Sequence, residues 1–383
     1  MSQESIVEMA RSLVPLINQE RPDGDCQAQL TSNVVTACGE AGLFRMTAPR
    51  EVCGLESTMT DIVQATEVVS GVDPAVGWYI QNSVPVSRIV ASLEREAREA
   101  VFAHRNVNFG NASQNQGLAV ADGEGFRLSG QWPVVTGVAS SEWSGMVGTV
   151  TDGGEPRLID GNPDVRTFIV PTESLEVLDT WKGVTAMRGT GSNAVVARDI
   201  FVPDAFVYST QQPVLIDRPY FHTSSIVFNL PPVAATVIGV LTTAIEAVTQ
   251  ALSQHTASVT GVARRDQPAS QEFIAQCRMS FRGMRASLYE ISAKVDEAIA
   301  CGSEITPEMR ADLYAICMLI CEEGAALASR IYTCGTRDAF MRDNAVELAL
   351  KDLHAIGYVM AAFRNLVHSA GRVMLGGQHD PGL

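Results

Sequence analysis

The sequence predicts an α+β protein in three parts: an N-terminal α-helical domain (residues 1–103), a middle β domain of barrel or sandwich type (104–222) and a C-terminal four-helix bundle (223–383). Three observations carry this. Up to about residue 103, apolar residues recur at threes and fours, as in Ile6, Met9, Leu13 and Ile17 and then Val34, Cys38 and Leu43. From there glycine, valine and threonine take over, turn pairs such as Asp122-Gly123 and Gly153-Gly154 recur, and short runs such as TFIVPT and NAVVARDIFVP read as strands. Beyond about residue 223 the helical period returns in four stretches of roughly 25 to 30 residues, longer than the ordinary globular helix and typical of a bundle.

Each part has its own signals. Helical periodicity in the first part is punctuated by TAPREVCGLES. In the β domain, GFRLSGQWPVVTG (125–137) reads as a strand, a turn and a second strand that stops at Thr136-Gly137. The first bundle helix starts near Pro231-Pro232, and the last carries the stripe Val346, Leu350, Leu353, Met360 and Val367.

Composition narrows the function classes. A net charge of −15 and a pI near 4.9 oppose a nucleic-acid partner, which requires a basic footprint, and an anionic membrane surface. The N-terminus has no basic region followed by an apolar stretch, and PPVAATVIGVLTTAIEAV is read as too short and too interrupted by threonines and a glutamate to span a bilayer. A cytoplasmic protein is expected. The eight cysteines form no CxxC and have no histidine companions at ligand spacing, so they are expected to be reduced, small, buried hydrophobes, with no metal site.

No GxSxG, P-loop, HExxH or strand–GxGxxG–helix pattern is present. The candidate chemistry sits in an uneven distribution of aromatic and small polar residues. All four tryptophans lie between Trp78 and Trp181, near NFGNAS (108–113), Thr136 and RGTGS (188–192). Planar aromatic walls with amide and hydroxyl donors suit a flat heteroaromatic ligand, and tryptophans also serve as plain core.

In their order along the chain, GVDPAVGWYIQN (71–82), GFRLSGQWPVVTG (125–137), DTWKGVTAMRGTGSNAVVARDIFVP (179–203) and KDLHA (351–355) resemble motifs of the acyl-CoA dehydrogenase-fold superfamily. They are closest to its flavin-dependent two-component monooxygenases, the group D hydroxylases. The resemblance implies a homotetramer (or homodimer) and reduced FMN or FAD supplied by a separate flavin reductase. With O2 this forms a flavin C4a-(hydro)peroxide that oxygenates a hydrophobic cyclic or aromatic small molecule. It assigns Thr136 and Val134 to the ring edge near N5, Trp181 to the flank of the ring, and Asn111 and Ala112 to its pyrimidine edge. Arg188 and Ser192 fall in the matching turn. Trp78, Tyr79 and Asn82 are assigned to the substrate side, and His354 and Tyr358 to proton transfer. Asp352, two residues from His354 on one helix, faces elsewhere and is read as structural.

The sequence departs from the family pattern at two places. Val359 stands where related hydroxylases often carry a second histidine. The stretch ALSQHTASVTGVARRDQPASQ (251–271) lacks the phosphate arginines until Arg264-Arg265, leaving as substitutes either His255 or those arginines reaching back from beyond the turn. These departures keep two alternatives open: an acyl-CoA dehydrogenase-like oxidoreductase, and a fold relative without flavin redox chemistry that acts as a binding protein or flavin-free catalyst.

Overall fold

A computed structural model describes residues 5–257 and 261–378. Helices α1 (Ile6–Gln27), α2 (Ser32–Glu40), α3 (Met59–Ser70), α4 (Pro74–Ile89) and α5 (Arg95–Val101) precede the strands. The strands are β1 (Phe109–Ala121), β2 (Gly125–Trp132), β3 (Trp143–Asp152), β4 (Glu155–Pro156), β5 (Leu158–Ile159), β6 (Asn162–Pro163), β7 (Val165–Pro171), β8 (Glu176–Leu178), β9 (Ala194–Pro203) and β10 (Val207–Tyr208). Helices α6 (Pro219–His222), α7 (Ser225–Gln254), α8 (Pro268–Ala300), α9 (Pro307–Cys334), α10 (Ala345–Ala361) and α11 (Arg364–Met374) follow.

Packing groups these elements into two compact units. The first comprises the chain up to Ser57, Trp78–Val184 and Arg188–Ser225; the second comprises Thr58–Gly77, Thr185–Met187 and the chain from Ile226 onward. Helix α3, within the first helical stretch of the sequence, thus belongs with the C-terminal helices. Its Glu67 accepts from Arg285 Nε at 2.8 Å and from the Tyr289 hydroxyl at 2.6 Å, both on α8.

The first unit is built on a sheet of order β10-β7-β3-β1-β2-β9-β8, with β4 added to β3. The β1–β3 pair is parallel and the other pairs of this order are antiparallel. Strand alternation buries Leu128, Met146, Val150, Phe168 and Val195 in one core around Trp132. Trp132 is completely buried and its indole N–H donates to Val147 O at 2.9 Å, so it anchors β2. The second strand expected after Trp132 is shorter than the sequence implied. Pro133 lacks the N–H a ladder needs, β2 ends at Trp132, and only Thr136 re-enters pairing, as a single bridge to Asn111.

In the second unit, α7, α8 and α9 run 30, 33 and 28 residues, the long helices expected. The fourth expected helix is broken: α10 stops at Ala361 and α11 restarts at Arg364. Val346, Leu353 and Met360 are buried on α10, but Val367 lies past the break and is 37% exposed. Close approach of α3 to α7 requires Gly239, where a Cβ would lie 2.5 Å from Glu67 O. The membrane argument from the sequence also needs correction. Helix α7 is long and apolar enough to cross a bilayer, and what opposes that use is that 78% of its most apolar window is buried within the protein. The cysteines divide evenly: Cys38, Cys277, Cys317 and Cys321 are buried, whereas Cys26, Cys53, Cys301 and Cys334 are exposed, and none of the eight is in a disulfide.

Candidate functional site

Most of the residues singled out in the sequence lie in the first unit, and several are linked there by hydrogen bonds. Asn111 on β1 and Thr136 exchange both backbone hydrogen bonds at 3.2 Å. The Thr136 hydroxyl is buried, 3.2 Å from Ser192 Oγ, which lies 2.8 Å from Thr190 Oγ1. Beside it Val134 is 40% exposed, an apolar side chain open to whatever covers it. On α4, Asn82 donates through Nδ2 to Trp78 O at 2.8 Å and accepts through Oδ1 from Asn111 Nδ2 at 3.4 Å. Asn111 Oδ1 accepts no hydrogen bond among the described residues. Ala112, next along β1, is completely buried and contributes only core.

Trp181 is half-buried and held from both ends: its indole N–H donates to Arg188 O at 3.1 Å, and its backbone N–H donates to Asn193 Oδ1 at 3.0 Å. Asn193 also receives Thr180 N at 3.0 Å, while its own carbonyl accepts from Val135 N at 3.1 Å. One asparagine therefore fixes the Trp181 loop relative to the Val134–Thr136 segment. Sequence reasoning missed it; the available signal was an Asn between two strands, a residue whose side chain commonly binds nearby backbone N–H groups.

Two assignments change here. Tyr79 is 1% exposed, with its ring centroid 4.9 Å from that of Phe44 and its hydroxyl donating to Gly137 O at 3.3 Å. It belongs to the packing beneath the site rather than to a substrate wall, and burial raises the pKa of its phenol well above the usual value. Arg188 spends its guanidinium on backbone carbonyls, from Nε to Asp25 O at 2.8 Å and from Nη1 to Lys182 O at 3.0 Å and to Val184 O. These bonds give it a part in shaping the turn. Trp78 is half-buried at the start of the α4 segment that carries Asn82.

The remaining candidates lie in the second unit. His354 and Tyr358, one turn apart on α10, line a cavity of about 340 Å³ with Met318, Cys321, Met360 and Arg364. His354 is exposed and its Nε2 lies 2.7 Å from Ser329 Oγ on α9; Tyr358 is 83% exposed. Ser329 was not legible, because its partner lies on another helix. Asp352 is buried and accepts from Met187 N at 2.7 Å, which holds Met187 at a left-handed φ of +52° and makes the carboxylate structural. His255 does not stand free for a phosphate: Nδ1 lies 2.8 Å from Ala251 O and Nε2 lies 3.2 Å from Asp338 Oδ2. Arg264 Nη2 donates to Cys334 O at 3.1 Å, leaving its Nε buried without a partner. Residues 258–260 of the turn between His255 and Arg264 lie outside the described residues.

Known proteins resemble this chain in sequence and fold. The pigment production hydroxylase of a Rhodococcus species is 25% identical over 260 residues, 65% of this chain and 65% of that relative's length. Indole-3-acetate monooxygenase of Pseudomonas putida is 24% identical over 283 residues, 73% of this chain and 70% of the relative. Among solved structures, the HsaA monooxygenase of M. tuberculosis superposes with a TM-score of 0.87 over 98% of both chains at 21% identity. XiaF from a Streptomyces species, solved with FADH2 and glycerol, does so with a TM-score of 0.86 over 99% of this chain and 96% of its own, also at 21% identity. No family model matches the sequence. The chain has the acyl-CoA dehydrogenase fold, and its relatives in sequence and structure are oxygenase components of flavin-dependent two-component monooxygenases.

Proposed function

We propose that this chain is the oxygenase component of a two-component flavin-dependent monooxygenase that oxygenates a hydrophobic cyclic or aromatic small molecule. The observation that carries it is the hydrogen-bonded linkage, within the first unit, of Asn82, Asn111, Thr136 and Ser192, with Asn193 tying the Trp181 loop to the Val134–Thr136 segment. An exposed apolar side chain and an indole flank there a free amide oxygen and a buried hydroxyl network. That donor set fits the ring of a flavin, which needs apolar cover on its faces and directional polar groups at its edge. Thr136 and Asn111 would hold the polar edge, and Val134 and Trp181 would cover the ring. Reduced flavin, when bound, supplies the electrons and the site of O2 activation.

The chain's own contribution is positioning, exclusion of water and proton handling. This reading gives proton transfer to His354, which is exposed, with its Nε2 2.7 Å from Ser329 Oγ. Val359, on the same helix, is 42% exposed and carries none. The reading extends to a separate flavin reductase, O2 as co-substrate and a cytoplasmic homotetramer, with relatives named for aromatic substrates supporting the substrate class. Solved neighbours hold FADH2 in one case and FMN in another, and both flavins belong in the test. A second reading, a fold relative without flavin redox chemistry, is favoured by the contacts that occupy both ring nitrogens of His255, with Ala251 O and Asp338.

The two are separated by anaerobic titration of the purified protein with reduced FMN and reduced FAD, followed by mixing with O2 and aromatic substrates. We expect saturable binding of at least one flavin and oxygenated product; no binding of either flavin sinks the monooxygenase reading. In a protein that binds flavin, His354→Gln is expected to lower kcat by about 10²-fold or more and to change its pH profile.

A further inference from the structure

Helix α4 grips the segment around Thr136 at two points. Tyr79 and Asn82, three residues apart, share a helix face. Asn82 Oδ1 accepts from Asn111, the residue that bridges Thr136 through both backbone bonds. Tyr79 closes on the other side of Thr136, at Gly137. Its hydroxyl donates to Gly137 O at 3.3 Å, and its ring occupies the place of a side chain there, since a Cβ on Gly137 would fall 2.2 Å from the ring. Gly137 adopts φ +80°, a conformation that glycine takes without strain. Its N–H donates to Thr190 O at 3.0 Å, and its carbonyl also receives the N–H groups of Ser140 and Ser141 at 3.0 Å. Thr136 thus lies between two α4 contacts, with Ser192 beside its hydroxyl.

We propose that Tyr79 is a positioning residue which, together with Asn82, sets the Thr136 hydroxyl for the flavin without touching flavin or substrate itself. Complete burial of the ring against Phe44 and Gly137 excludes a direct role. Burial also keeps the phenol protonated, so its bond to Gly137 persists across the working pH range. The inference rests on the flavin reading above.

A double-mutant cycle on reduced-flavin affinity tests it, with Tyr79→Phe, Thr136→Val and the double variant compared with wild type. Loss of one neutral hydrogen bond predicts an affinity drop of about 2- to 10-fold for Tyr79→Phe alone. A residue acting through Thr136 adds nothing once Thr136 is changed, so the double variant is expected to match Thr136→Val. Binding of oxidised flavin, read by absorbance shift and fluorescence quenching, should show the same non-additivity. Asn82→Ala run through the same cycle provides a second arm should Tyr79→Phe fail to fold. Full additivity in the arm that folds, or an unchanged affinity in Tyr79→Phe, overturns the inference while leaving the flavin reading intact. Wild-type protein that binds no flavin overturns both.

Discussion

Arg188 shows how far residue type and role separate at the smallest scale. An arginine in a glycine-rich turn beside a candidate cofactor site suggests an anion contact, yet its guanidinium is consumed by the carbonyls of Asp25, Lys182 and Val184. Removing it leaves those acceptors without a charged donor. Arg188→Ala is therefore expected to lower stability by about 2–3 kcal/mol in chemical denaturation, with flavin affinity of the folded protein unchanged. A large loss of affinity at unchanged stability would return Arg188 to the site. The same separation applies to Tyr79 and Tyr358: sequence assigned both to the site, and the structure leaves one 1% and the other 83% exposed. Asn111, Val134 and Thr136 stood out in the sequence through short local motifs, and the structure joins Asn111 to Thr136 by an isolated bridge. Asn193 and Ser329 act through partners that no local pattern predicts.

Helix ends, at the next scale, explain why the elements stop where they do. The start of α3 leaves backbone N–H groups without intrahelical partners. Thr58 Oγ1 accepts from Asp61 N at 3.1 Å, and Asp296 on α8 accepts from Met59 N at 2.5 Å and Thr60 N at 2.9 Å. Burial raises the pKa of the Asp296 carboxyl above the ordinary 3.8 in spite of these bonds. The folded state therefore keeps this proton to higher pH than the unfolded chain. The stability it contributes is complete below the unfolded value and falls as pH rises through the raised folded value. Asp296→Asn, which cannot titrate, should lose less stability than wild type as pH rises above the ordinary carboxylate value in thermal melts. A parallel pH dependence in the two proteins would contradict this. The break between α10 and α11 was not legible, since no proline or glycine marks Ala362-Phe363 and the apolar period runs on through it.

At the scale of the whole molecule, charge and burial decide different things. A net charge of −15 favours solubility and opposes polyanionic partners, but says nothing about fold. Helix α7 has the composition of a membrane span, and only its burial among neighbouring helices gives those apolar residues another use. The exposed apolar residues Tyr358 and Val359 on α10, Val367 and Met374 on α11 and Leu375 just after it accord with a homotetramer as proposed above. Sedimentation equilibrium at micromolar concentration is expected to give four times the 41.1 kDa chain mass; a monomer would remove the oligomer from the proposal.

The sequence by itself determined the succession of helices, strands and helices, because periodicity and turn chemistry are local, and it pointed through four ordered motifs to the relatives later found. It also singled out Asn82, Asn111, Thr136 and Ser192, which the structure links by hydrogen bonds. Tertiary structure alone decided that α3 packs with the C-terminal helices, that Tyr79 lies beneath the site and that Arg188 and His255 are already bonded. Those outcomes depend on groups far apart in the chain competing for the same donor, acceptor or buried volume, and that competition is settled only when the elements pack.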